Sequence, residues 1–469
     1  MKSAVALLLF AASAALAQTR ESVTVELIEV PVYVTAADGT PVRGLPKEAF
    51  SLRVDGKPRE IEYFEEIGGE TPQPRGAAAP QLHQRRLYLL LFDLFFTRPN
   101  DLVRAQHAAD ALVARANPDT DAFAVATYTA RDGIQFVIPF LTDRVAVRRA
   151  VATLAPSDAH DALGIATKQA ERALVMTDNY SQVQETGNRS ADIRNTLLGG
   201  DANKDSLAEP RRHFAEHQLD GLAAAAERMR ALEGQKHVVL LSAGFGPYLF
   251  GEFVQQSRFR TDIAQIYRAF ADAGVFLDAV DTFGVRPLNS SEPLRQLTSA
   301  TGGTLISGEN DVGRALTRLT SLQQSVYRLG FMRRDNRAGT IEVRVGGAPR
   351  GARVSYRTGY GKAAAEGPLD ALQLADIIAN DIPQNGLSVT LDATPRGTIT
   401  AAFNPAEASV VDAYLYVVDE QGATVFSKAA RVRDALQEQL KLPPGRYVVK
   451  VLMNAGGMLG FARTDLIVP

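Results

Sequence analysis

The chain has 469 residues, too many for one compact core and suited to about two to four domains. Its net charge of −2 gives no case for nucleic acid or an anionic membrane surface as a partner. The absence of cysteine excludes disulfides and thiolate metal sites, and the absence of tryptophan removes the strongest platform for stacking a sugar.

In chain order, Met1, Lys2 and Ser3 precede an apolar segment from Ala4 to Ala15, and Ala15-Leu16-Ala17 has the small residues of a cleavage site. This is the pattern of a secretory signal peptide over residues 1–17. The apolar run is shorter than the ~20 residues a membrane span needs. The expected mature protein is exported, periplasmic or at the cell surface, with no membrane span. Residues 18–67 read as short strands: Val23, Val25 and Leu27 alternate, then Val30, Val32 and Val34. Asp38-Gly39 and Asp55-Gly56 supply hairpin turns. This β-module is too small to bury a core alone. Residues 68–84, rich in Gly, Pro and Ala, read as a linker.

The segment LYLLLFD, Leu87 to Asp93, is apolar until its final carboxylate. Such continuity suits a parallel strand buried on both faces. Ligands of open α/β sheets gather at the carboxyl ends of strands, which makes Asp93 a candidate site residue. Thr97 follows it, and Pro99, Asn100 and Asp101 start a helix. Beyond lie AFAVATYT and IQFVIPF as an edge hairpin, a polar stretch at 177–210 read as an insertion, then HVVLLSAG, VFLDAV and TLIS as strands between helices. The alternation predicts an α/β fold with a doubly wound parallel sheet over 85–335. TIEVRV and RVSYRTGY, within 336–360, have no obvious place in that sheet. The N-terminal module lacks strands, so the two are expected to pair, with strands 338–360 completing the sandwich around an inserted α/β unit. Residues 361–385 read as a second linker, and 386–469 as a C-terminal immunoglobulin-like β-sandwich.

Four segments carry a family resemblance: VTAADGTPVRGLPKEAFSLRVDGKPREIEYF, the strand ending in Asp93 together with GQKHVVLLSAGF, LRQLTSATGGTLIS through to YRLGF, and IEVRV with RVSYRTGY. Over roughly residues 20–360 the chain resembles the exported VWFA-related proteins of acidobacteria, which contain a von Willebrand factor type A domain. The resemblance implies a Rossmann-like A-domain and, in working relatives, a metal-ion-dependent adhesion site. That site is built on an Asp-x-Ser-x-Ser loop, a Thr and a later Asp. Asp93 matches the first acid and Thr97 the second hydroxyl, and Ser157 is the match for the Thr. Phe95 stands at the first Ser and Ala243 at the later Asp. The ligand set left for Mg²⁺ is thus Asp93, Thr97 and Ser157, a weak or absent site, and no other cofactor is expected.

Other chemistry is sparse. His160-Asp161 are adjacent, and adjacent helical residues do not face each other. Ser242 ends a strand without the G-x-S-x-G elbow of a hydrolase. Asp278 and Asp281 bracket a strand end, a place that could bring them near Asp93, although such residues more often cap loops. Gly302-Gly303 lacks the Lys-Ser/Thr of a phosphate cradle. The expectation is a non-enzymatic envelope protein that binds a protein partner or mediates adhesion through the edge holding Asp93, Thr97, Ser157 and Ser242. The alternatives are an exported hydrolase using the same edge and a purely structural scaffold.

Overall fold

The computed structural model describes residues 26–68, 84–129, 132–154, 208–244, 257–285, 291–335, 337–361, 369–404 and 406–469. The leader at 1–17, nearly all of the 68–84 linker, Ser157, His160, Asp161 and the 177–210 insertion up to residue 207 lie outside these residues.

Four strands come first: β1 (Glu26–Thr35), β2 (Phe50–Val54), β3 (Lys57–Arg59) and β4 (Tyr63–Ile67). In β1 the period of two sends Ile28, Val30, Val32 and Val34 to one buried face. Tyr33 lies on the other face. Between β2 and β3, Asp55 and Gly56 have φ of 51° and 73°, the positive values that a tight type I′ hairpin requires.

The α/β unit follows. Its strands are β5 (Arg86–Asp93), β6 (Asp121–Thr129), β7 (Gly133–Leu141), β8 (Gln235–Ser242), β9 (Val275–Asp281) and β10 (Leu305–Ile306). They form one sheet in the order β10-β9-β8-β5-β6-β7, parallel except for β7, which returns antiparallel at the edge. Helices α1 (Pro99–Arg115) and α2 (Arg144–Thr153) are followed by α3 (Ala208–Arg228), α4 (Ser257–Ala273), α5 (Glu292–Thr301) and α6 (Val312–Leu322). Tyr88, Leu90 and Phe92 of β5 pack with α1, α2 and α6, whereas Leu87, Leu89 and Leu91 pack with α3, α4 and α5. Strand β5 is therefore apolar on both faces because helices cover both.

The chain then returns to the first module through β11 (Val326–Arg333), β12 (Gly339–Val345), β13 (Arg353–Tyr356) and β14 (Gly359–Tyr360). Strand β11 lies between β1 and β4, with Val30 opposite Leu329; β13 pairs with β1; β12 pairs with β2, with Leu52 opposite Val343. Two four-stranded sheets result, β13-β1-β11-β4 and β14-β12-β2-β3. Their inward residues, among them Val32, Leu52, Leu329 and Val343, make a single core. The expected boundary at 335 needs correcting: 326–333 belongs to the sandwich. A run as apolar as VYRLGFM fits the middle of either sheet, and only its partners decide which.

The expected linker at 361–385 also needs correcting, because it contains α7 (Ala371–Ala379). Leu372 enters the α/β core, while Ile377 and Ile378 pack on Leu452 and Leu459 of the C-terminal module. That module holds β15 (Val389–Ala393), β16 (Thr398–Phe403), β17 (Val411–Asp419), β18 (Thr424–Val432), β19 (Ala435–Gln439), β20 (Gly445–Ala455) and β21 (Met458–Val468). Its sheets, β15-β16-β19 and β18-β17-β20-β21, enclose a core that includes Ile399, Leu415 and Val451.

Candidate functional site

Strand β5 delivers Asp93 to the finishing end of the parallel sheet, where its side chain is wholly buried. The chain turns at once, and Asp93 Oδ1 accepts hydrogen bonds from the backbone N–H of Phe95 (3.0 Å) and Phe96 (2.8 Å). The neighbouring strand β8 brings Ser242, whose hydroxyl donates to Asp93 Oδ2 at 2.5 Å. Gly244 N–H donates in turn to Ser242 Oγ at 2.9 Å, and Ala243 N–H to Thr97 Oγ1 at 3.2 Å. Burial pushes the Asp93 carboxyl above its ordinary range, opposed by the bond from Ser242 and those from the Phe96 and Phe95 amides. The next strand, β9, ends beside Ser242: Asp281 pairs with it in register, and Thr282 N–H bonds to Ser242 O at 3.0 Å.

The site therefore gathers Asp93, Thr97, Ser242 and Asp281 at one end. Asp278 is not among them. It lies three residues earlier in β9, opposite Val239, and turns its carboxylate toward His237. Ser157, His160 and Asp161 lie outside the described residues.

Mg²⁺ needs near-octahedral oxygen ligation with one or two carboxylates and several waters. The residues present do not fit that demand. Both Asp93 oxygens already accept protein hydrogen bonds. Phe95 is buried with its ring edge-on to Phe96, at 4.7 Å between centroids, where a hydroxyl ligand would stand. Ala243 supplies a methyl group and a backbone N–H directed at Thr97. The arrangement is a closed hydrogen-bonded loop joining two strand ends. The Ser242 hydroxyl donates to the Asp93 carboxylate and accepts from the Gly244 N–H, so it is bonded on both sides.

A second constellation lies at the opposite, starting end of the sheet. In register across four strands, Phe123, Tyr88, His237 and Phe276 form a ladder of rings. His237 stacks between Tyr88 (5.5 Å, 26°) and Phe276 (5.2 Å, 17°). Its Nδ1 lies 2.7 Å from Asp278 Oδ2, and its Nε2 lies 3.0 Å from the hydroxyl of Tyr33, which reaches down from β1 of the sandwich. Gln323 Nε2 donates to Asp278 Oδ2 at 2.8 Å, and Thr304 N–H to Asp278 Oδ1 at 2.8 Å. This buried polar network joins the sandwich to the α/β unit. The reading of the sequence did not single out Tyr33, His237 or Gln323. The available signal was a lone His inside the otherwise apolar run HVVLL.

No family model matches the chain, and no curated protein matches it. Solved structures do overlap with it. One is an aerotolerance-related membrane protein from Bacteroides fragilis NCTC 9343 carrying multiple mutations to serines, 8% identical over 51% of this chain and 98% of that one, with a TM-score of 0.29. Another is the conserved hypothetical protein BatB from Bacteroides thetaiotaomicron, 8% identical over 51% and 99%, with a TM-score of 0.26. A third is the PKD domain from human VPS10 domain-containing receptor SorCS2, 14% identical over 19% of this chain and 75% of that one, with a TM-score of 0.14. The names describe those proteins, and the overlaps are partial.

Proposed function

We propose that this chain is a non-enzymatic, exported cell-envelope protein. In this reading its α/β unit is a Rossmann-like von Willebrand factor A domain with a degenerate adhesion site, and it binds a protein partner at the finishing end of its sheet. The supporting observation is where the flanking modules attach. The sandwich reaches the start of β8 and β9 through Tyr33, which meets Gln235, His237 and Phe276. The C-terminal module is tied through α7 to Arg85, just before β5, and to Phe140 and Thr142 at the end of antiparallel β7. All of these contacts lie at one end, so the two β-modules hold the sheet from behind, and the end with Asp93, Thr97 and Ser242 points away from them. Beside Asp93 that end carries Arg98, half-exposed and stacked 4.2 Å from the Phe283 ring, and Val285, 64% exposed. Such a mixed cationic and apolar rim suits a protein surface better than a small solute.

The test is capture of envelope proteins by the mature chain, with V285D and R98E as surface variants that leave the Asp93 loop intact. The expected result is a partner captured equally with Mg²⁺ and with a chelator, and lost with either variant. Capture that survives both variants but disappears when residues 386–469 are removed would place binding on the C-terminal module and sink the proposal.

A further inference from the structure

The outer face of the C-terminal module is only partly covered. Strand β17 turns Ala413, Leu415 and Val417 into the sandwich core, which leaves Asp412, Tyr414 and Tyr416 on the outside. Helix α7 lies over the half formed by β20 and β21, where Ile377 and Ile378 pack with Leu452 and Leu459, and both tyrosines are anchored against that cluster. The other half is bare. Edge strand β18 sets Ala429 opposite Tyr414 and Ser427 opposite Tyr416, and both short residues are exposed. Side chains of that size cannot cover a neighbouring ring. An open groove of about 390 Å³ results, with Asp412, Tyr414, Ala429 and Arg431 among its walls. Arg431 donates to Asp412 twice, from Nε to Oδ1 at 2.7 Å and from Nη2 to Oδ2 at 3.1 Å. The pairing cancels their charge, yet Arg431 Nη1 and further lone pairs of the carboxylate stay free to bond.

We propose that this groove binds a neutral polysaccharide, one sugar lying against Tyr414 with its hydroxyls meeting Asp412 and Arg431. The C–H face of a sugar is apolar and matches an aromatic ring, and tyrosine adds a polar tip. Sugar hydroxyls both donate and accept, which a carboxylate and a guanidinium side by side require. With the two charges paired, nothing in the groove favours an ion over an uncharged ligand. Tyr416 stands roughly 7 Å further along the same strand, so the next sugar of a chain meets a second ring beside Ser427. An open groove suits such a chain better than a small solute, which enclosed pockets hold. The groove lies on a different module from the face at Asp93, so its fate leaves the proposed partner reading untouched.

Titration calorimetry on the full mature chain can use cellotetraose, laminaritetraose and N-acetylchitotetraose as neutral probes, with tetragalacturonate as the anionic comparison. At least one neutral probe is expected to bind with Kd below about 10 mM, and about tenfold tighter than the anionic one. A429Q covers the Tyr414 ring from an exposed position and should weaken binding by about tenfold or more without changing the melting temperature. Y414A should weaken it as much, whereas Y414F, which keeps the ring, should stay within about threefold. The proposal is overturned if no neutral probe binds below about 10 mM, if tetragalacturonate binds as tightly, or if A429Q leaves affinity within about twofold. Capture of an envelope protein that A429Q abolishes, with no tetrasaccharide bound, would overturn it in favour of a protein surface.

Discussion

Lys236 carries a heavy electrostatic demand in this fold. It starts β8 with its side chain buried between modules, and its ammonium donates to the carbonyls of Arg230 and Leu232, both at 3.1 Å. Burial, with Arg357 and Arg230 nearby, lowers it from 10.5 to about 7. Between those values the unfolded chain holds a proton that the native chain has lost, so the Lys236 contribution to stability falls as pH drops from ~10 to ~7. Below that the penalty is complete. K236M removes the titration but leaves two carbonyls without their donor. Urea unfolding should show wild type gaining about 3–4 kcal/mol relative to K236M as pH rises from ~7 to ~10. Parallel stabilities across that window would show that the amine stays solvated. At this scale Asp93 was legible in the sequence, since one carboxylate ends an apolar run. Ser242 was visible only as a strand end. Its bond to Asp93 joins residues 149 positions apart and depends on β5 and β8 being neighbours.

Helix α7 shows how an element can be hidden by its length. Its 9 residues sit in a stretch whose Gly, Pro and Asn flanks read as a linker, and so few turns give little periodicity. Its stability comes from packing two ways at once. Asp376 receives two hydrogen bonds from Arg85, at 3.0 and 2.8 Å, with both side chains 4% exposed. Asn380 bonds to Thr142 and Phe140, and Lys450 donates to the Ile378 carbonyl at 2.8 Å. Removing one member of a buried pair strands the other charge, so D376A should cost about 3–5 kcal/mol. The double variant R85M/D376L should recover most of that loss. Chemical denaturation of the four forms gives the coupling, and a double variant as unstable as D376A would contradict the account. The strands, by contrast, were legible where alternation was strict, as in β1 and β12. The membership of β11 was not, because a strand buried on both faces has no face signal to assign it.

At the scale of the whole molecule, the chain leaves its first sandwich after β4, builds the α/β unit, and returns to insert β11 between β1 and β4. The return was legible from two unmet needs: an N-terminal module with too few strands, and later strands with no sheet to join. The junction was not legible, because Tyr33, His237, Asp278 and Gln323 come from four distant segments. The closure predicts an order of unfolding. V343P breaks the ladder between β12 and β2. Limited proteolysis should then cut residues 26–67 first, while the six-stranded sheet stays protected. Simultaneous loss of both would show that the α/β unit cannot stand without its sandwich.

The finishing end of the sheet carries the central claim, that Asp93 closes a loop with Ser242 and the face works without a metal. Calorimetric titration of Mg²⁺ into the mature protein tests it most directly, alongside the variant joining F95S and A243D, which places a hydroxyl and a carboxylate at the two positions that hold a phenyl ring and a methyl group. The account predicts no saturable heat up to about 10 mM for the natural sequence and measurable binding for the variant. Sub-millimolar binding by the natural sequence, lost in D93N, would contradict it.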